Sequence, residues 1–258
     1  MMSELKIALI QTSLVWENPQ ANRSIISDKV KKIKDSVDLI ILPEMFTTGF
    51  TMSPEHIGDN EGSLTIDWLL KISSEKKSAI TGSIIFLENG NFYNRLFFIK
   101  PTGEIQTYDK KHTFTLAGED KVFKAGNMKT IVTYKGFKIC PLICYDLRFP
   151  VWARNVENYD VLLYVANWPK IRINAWDILL KARAIENMAY CIGVNRVGED
   201  DLGHKYSGHS AVYDALGNTI TFSTSEEIVY AILEKEHIVS CRKKMKFLND
   251  KDDFTLKD

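Results

Sequence analysis

The chain has 258 residues, 45% hydrophobic and 26% charged, a globular composition that excludes extensive disorder. Lys plus Arg and Asp plus Glu number 33 each, so no general field draws the protein towards nucleic acid or acidic membrane surfaces, and a small molecule is the expected partner. The apolar run Leu5 to Ile10 is too short for a signal-peptide core and has no basic leader, and the four cysteines form no disulfide framework, so a cytoplasmic protein with reduced thiols is expected.

Lys6 to Ile10 reads as a strand, and Ile26, Val30, Ile33 and Val37 follow at helical spacing. Asp38 to Leu42 is a short apolar run stopped by Pro43; Leu64 to Lys76 is helix-like, and Ala79 to Ile85 is again a strand. Between Asn91 and Tyr108 two strands flank the turn Pro101-Thr102-Gly103, an antiparallel hairpin that makes the sheet mixed. Thr130 to Tyr134, Phe137 to Leu142 and Val161 to Ala166 continue the strands, with a helix from about Val151.

From Ile173 to Asn187 one helical face carries Ile178, Ala182, Ile185 and Ala189, and another carries Trp176, Leu180 and Ala184, which predicts a helix held between two layers. Tyr190 to Asn195, Ser210 to Tyr213, Thr219 to Phe222 and Ile228 to Leu233 are further strands, with a hairpin turn at Gly217-Asn218. No linker or repeat interrupts the pattern, so a single α/β domain over residues 1–258 is expected, ending in a charged segment from about Arg242 that is free to reach a neighbouring subunit.

Three reactive side chains stand at the ends of strand-like runs. Glu44 follows Leu39 to Pro43, where burial would raise its pKa and suit it to general acid and base work; a plain loop glutamate has the same local pattern. Lys110 and Lys111 follow the strand ending at Tyr108, and one of them in a cleft would offer a fixed charge to an oxyanion. Cys144 ends an apolar strand at a corner that would expose its thiol and, beside a lysine, favour the thiolate. Cys140 shares its strand parity, so alternation does not rank the two.

Taken together and in this order, the three segments resemble the Glu, Lys and Cys motifs of the carbon-nitrogen hydrolase, or nitrilase, superfamily. The family's lysine lies two residues before a histidine, which singles out Lys110 ahead of His112; Glu119 in Ala117-Gly118-Glu119-Asp120 is similar to its second glutamate, and Cys144-Tyr145-Asp146-Leu147-Arg148-Phe149 to its cysteine segment. Ala166-Asn167-Trp168-Pro169 and the tail around Phe247-Leu248-Asn249-Asp250 resemble the omega-amidases, which act on 2-oxoglutaramate and 2-oxosuccinamate.

The resemblance implies a four-layer α-β-β-α sandwich that pairs as a homodimer. It implies hydrolysis of a small linear amide to acid and ammonia: Cys144 is the nucleophile, Glu44 the proton shuttle, and Lys110 with the backbone N–H of Tyr145 the oxyanion partner. Glu119 supports the lysine. Trp168, which follows the Val161 to Ala166 strand, either lines the substrate pocket or is plain core, and Arg148 and Arg172 are the candidates to meet a distal carboxylate. No metal or organic cofactor is expected. The competing readings are another amide of the same chemistry, such as an N-carbamoyl amine or deaminated glutathione, and a catalytically silent binding module. Arg183 with Glu186, and His209, are expected to be structural.

Overall fold

Strand β1 (Glu4–Gln11) sends Leu5, Ile7 and Leu9 into one apolar cluster and Ala8 and Ile10 into another, so the period-2 alternation of a single strand separates two cores. A computed structural model describes residues 3–33 and 36–256. After β1 come α1 (Pro19–Lys31), β2 (Leu39–Ile41), α2 (Glu61–Lys76), β3 (Ala79–Glu88), β4 (Asn91–Ile99), β5 (Ile105–Asp109) and the one-turn α3 (Glu119–Val122). Then follow β6 (Val132–Tyr134), β7 (Phe137–Ile143), the one-turn α4 (Pro150–Ala153), β8 (Val161–Ala166), α5 (Ile173–Asn187) and β9 (Tyr190–Asn195). The chain closes with β10 (Val197–Glu199), β11 (Lys205–Ser207), β12 (Ser210–Tyr213), β13 (Thr219–Ser223), β14 (Glu227–Glu234) and α6 (Lys235–Met245).

Two mixed six-stranded sheets result, ordered β14-β1-β2-β3-β4-β5 and β13-β12-β9-β8-β7-β6. Each has a parallel centre, β1-β2-β3 in one and β7-β8-β9 in the other, flanked by antiparallel strands. One face of the first sheet, with Ala8, Ile10, Ile40 and Ile80, packs on Ile26 and Val30 of α1 and Leu69 and Ile72 of α2. Its other face joins Ile139, Leu163 and Val165 of the second sheet, whose opposite face, at Gly193, receives Trp176 and Leu180 of α5. This is the expected α-β-β-α sandwich, and each aliphatic side chain buried in it contributes roughly 1.5–3 kcal/mol.

The differences from the sequence reading are local. α1 ends at Lys31, short of the spacing that runs on to Val37, and positions 34 and 35 lie outside the described residues. The helix expected near Val151 is the single turn of α4. α5 is buried on one side only: Ile178 is 58% and Ile185 49% exposed, so the second apolar face that predicted a sandwiched helix is uncovered in the single chain. Arg242 belongs to α6, which shortens the charged tail, and its last two residues lie outside the described residues.

Candidate active site

Parallel sheets gather their loops at the carboxyl ends of the strands, where ligands are bound. Glu44 lies just past β2, Lys110 directly after β5, Cys144 directly after β7 and Asn167 directly after β8. The Glu44 loop is pressed onto β3, with Leu42 N–H on the Thr81 carbonyl and Phe46 N–H on that of Ser83. Gly82 permits that approach, because a Cβ there would come within 2.8 Å of the Leu42 Cβ and 2.9 Å of the Phe46 ring.

Four polar side chains meet in the resulting centre. Lys110 Nζ donates to Glu44 Oε1 at 2.9 Å and to both oxygens of Glu119, at 3.0 and 2.9 Å. Asn94 Nδ2 donates to Glu44 Oε1 at 2.8 Å, and Asn167 N–H donates to Glu44 Oε2 at 2.8 Å. Glu44, Lys110 and Glu119 are all buried, so each charge must be met from within the protein. Burial alone would discharge Lys110, but the fields of Glu119 and Glu44 outweigh it and hold its pKa above the ordinary lysine value. Burial, reinforced by Glu44, raises Glu119, with Lys110 opposing.

Cys144 adopts φ +42°, a strained value for a residue with a side chain, at the start of a 3-10 turn over Cys144–Arg148. Buried Asp146 anchors that corner. Its Oδ2 accepts from Ile143 N–H at 3.0 Å and Tyr108 O–H at 2.8 Å, and its Oδ1 accepts from His112 N–H at 3.0 Å. The elbow is thereby fastened to the loop that carries Lys110. Arg183 donates to the Leu147 carbonyl at 2.7 Å and to Glu186 at 2.9 Å, the structural role expected of that pair. His209, also expected to be structural, is half-buried and lies 2.9 Å from Asp177.

The thiol differs from the expectation of a resting thiolate. Burial, then the charge of Glu44, pushes Cys144 well above the usual thiol pKa, and the opposing pull of Lys110 is smaller. Both effects favour the neutral thiol, so ionising it requires a proton acceptor at hand, and Glu44 is the side chain beside it. Cys140, by contrast, is enclosed in the core, which separates the two cysteines that parity left equal.

Cys144 and Lys110 border a cavity of about 350 Å³. Trp168 lines it, buried, with its ring nitrogen on the Arg172 carbonyl at 2.8 Å. Tyr145 lines it as well, its ring 4.9 Å from that of Phe114. Arg148 lies 5.0 Å over the Trp168 ring and Arg172 5.2 Å over Phe114, both on the cavity wall, and among the described residues neither is paired with a carboxylate. The opposite rim comes from the β10–β11 hairpin, which brings Asp200, Leu202, His204 and Tyr206. Sequence reasoning missed that hairpin, whose strands are three residues each, and it missed Asn94, Phe50 and Phe114. Only the Asn91 to Tyr108 hairpin pattern pointed near Asn94.

The sequence pattern of a family described as Carbon-nitrogen hydrolase matches residues 6–243. The chain belongs to the carbon-nitrogen hydrolase family. It is 42% identical over 257 residues to "Omega-amidase YafV" of Yersinia enterocolitica, covering 99% of this chain and all of that one. It is 29% identical over 250 residues to "2-oxoglutaramate amidase" of Bacillus subtilis (strain 168), covering 95% of this chain and 96% of that one. Among solved structures, XC1258 from Xanthomonas campestris, a CN-hydrolase superfamily protein with an arsenic adduct in its active site, superposes with a TM-score of 0.95 at 37% identity, over 99% of this chain and 100% of that one. The protein is thus an amidase, a hydrolase of carbon–nitrogen bonds, and among the described residues no helix is long and apolar enough to cross a membrane.

Proposed function

We propose that this amidase is an omega-amidase, hydrolysing the terminal amide of 2-oxoglutaramate or 2-oxosuccinamate. The observation that carries the reading is the pairing of a buried Glu44–Lys110–Glu119 cluster beside Cys144 with two arginines that have no carboxylate partner among the described residues, on the wall of the same cavity. A half-amide of a dicarboxylic acid has both features to match: a carboxamide for the thiol and an anionic far end for a guanidinium. The names carried by the Yersinia and Bacillus relatives agree with it.

In this mechanism Cys144 Sγ attacks the amide carbon while Glu44 takes the thiol proton, and Lys110 with the Tyr145 N–H faces the oxyanion. Glu44 then gives its proton to the nitrogen, the C–N bond breaks, and ammonia leaves a thioester. Glu44 next draws a proton from water as it attacks that thioester; the C–S bond breaks, Glu44 passes the proton to the departing Sγ, and the acid leaves with the Cys144 thiol restored. Glu119 holds Lys110, and Trp168 walls the pocket. The work is assigned to the cytoplasm, since the reaction needs a free thiol and all four cysteines are unpaired.

Ammonia release from 2-oxoglutaramate, measured beside N-carbamoylputrescine, deaminated glutathione and a simple nitrile, tests the reading. A preference for the oxo-acid amide supports it, and a preference for any of the others overturns it. Arg148→Met and Arg172→Met probe the far end. Loss of a charge-assisted contact raises KM for 2-oxoglutaramate by about 10- to 100-fold in at least one of the two, with a smaller effect on kcat. Unchanged KM in both variants, and in the double variant, would remove the arginines from the substrate.

We further propose a homodimer that covers the outer face of α5. Beside exposed Ile178 and Ile185 lie Ile220 and Phe222 of the edge strand β13; Gly217 of the β12–β13 turn touches Ile185, and Phe222 packs on His209, which binds Asp177 of α5. Sedimentation should give a dimer for the parent chain and a monomer for Ile178→Asp. A parent chain that sediments as a monomer rules the assembly out.

A further inference from the structure

Asn94 stands in the middle of β4 and touches both carboxylates of the buried centre and the backbone of Lys110. Its Nδ2 donates to Glu44 Oε1 at 2.8 Å and to Glu119 Oε1 at 3.2 Å, while its backbone carbonyl accepts the Lys110 N–H at 3.1 Å. An amide nitrogen carries two protons, so each carboxylate receives one. Turning the amide over would aim Oδ1 at two carboxylate oxygens, so the partners fix its orientation. In that orientation Oδ1 is buried without a hydrogen bond, an unfavourable state tolerated because both protons are used on the carboxylates.

The charges show what those protons do. Two buried carboxylates share one cation, Lys110, and unpaired like charges at this distance drive one of them to hold a proton. The ionisable groups facing the pair are Lys110 after β5, Cys144 after β7 and Tyr206 on β11, whose acidity also feels Glu44. Arg95, next along β4, is occupied elsewhere, by Asp109 at 2.6 Å and Glu88 at 3.0 Å. Asn94 is therefore the neutral donor that bridges Glu44 to Glu119.

We propose that Asn94 is a positioning residue of the amidase reaction, bridging the two glutamates so that both stay charged around Lys110 and Glu44 remains free to take the Cys144 proton. The inference rests on the reading of Glu44 as that proton acceptor. A Glu44 that already holds a proton cannot receive another, so losing the bridge should narrow the active pH range from its acid side.

The test is the pH dependence of Cys144 alkylation by iodoacetamide, followed on the Cys144 peptide by mass spectrometry, together with kcat and KM for 2-oxoglutaramate. The variants are Asn94→Leu, close in size but without donors, Asn94→Asp, which keeps the shape and adds charge, and Glu44→Gln. The acid limb should move up by about one pH unit in Asn94→Leu and further in Asn94→Asp, with kcat down about 10- to 100-fold and KM within about threefold. A merely structural Asn94 would lower thermal stability and the active fraction with the acid limb unmoved, which overturns the proposal. If Glu44→Gln also leaves the limb of the parent profile in place, the proton-acceptor reading of Glu44 fails, and the role of Asn94 with it.

Discussion

Cys144→Ala is expected to fold and to release ammonia from 2-oxoglutaramate at a rate lower by a factor of about 10⁴ or more, because the variant has no atom with which to form the thioester. The bonds from Lys110 to Glu44 and Glu119 do not involve the sulfur, and the elbow is held through Asp146 and Arg183. Alanine also keeps a Cβ at φ +42°, so backbone strain is unchanged, and the lost atom should cost no more than about 1–2 kcal/mol. Thermal unfolding alongside the ammonia assay separates the two effects. A folded Cys144→Ala variant with activity near that of the parent would end the assignment of the nucleophile.

Glu44→Gln should reduce kcat by about 10²- to 10⁴-fold, the range for removing a positioned acid–base group. It should slow formation and hydrolysis of the thioester alike, since the same carboxylate serves both. The thiol makes the requirement sharper: with its pKa raised by burial and by Glu44 itself, Cys144 has little thiolate of its own at neutral pH and depends on a neighbouring acceptor. The substitution also turns an acceptor against donors. An amide nitrogen in place of Oε2 would face the Asn167 N–H, now 2.8 Å from that oxygen, so a modest loss of stability accompanies the loss of rate. Pre-steady-state acylation with an activated ester, followed by deacylation in water, measures the two halves. A variant slowed in one half alone would assign Glu44 to that half and leave the other to a different group.

Much of this centre was legible in the sequence because function is attached to strand ends. Glu44, Lys110 and Cys144 each close an apolar run, and the motif order distinguished them from Lys111 and Cys140. The layers were legible too, since the alternation in β1 and the helical spacing in α2 report burial directly. Four things escaped. Asn94 looks like any residue of an antiparallel strand, and its importance arises from Glu44 and Glu119, brought to it from distant parts of the chain. The β10–β11 hairpin is too short to show a period, yet it supplies one rim of the cavity. The ionisation of Cys144 was misjudged because a nearby lysine is visible in a motif, whereas desolvation and the distance to a carboxylate are not. The outer face of α5 was read as covered because periodicity records apolar residues without recording what lies against them.

The reactive centre is divided between the two sheets: Glu44, Asn94 and Lys110 follow or occupy strands of one, and Cys144 and Asn167 follow strands of the other. Neither half of the polypeptide contains the whole set, and Cys144 meets Glu44 only across the seam between them. Ammonia release is therefore a gauge of how truly the halves are mated. A shift of an ångström along that seam would silence the enzyme while its helices and strands remained whole, so catalysis is lost before the architecture that supports it.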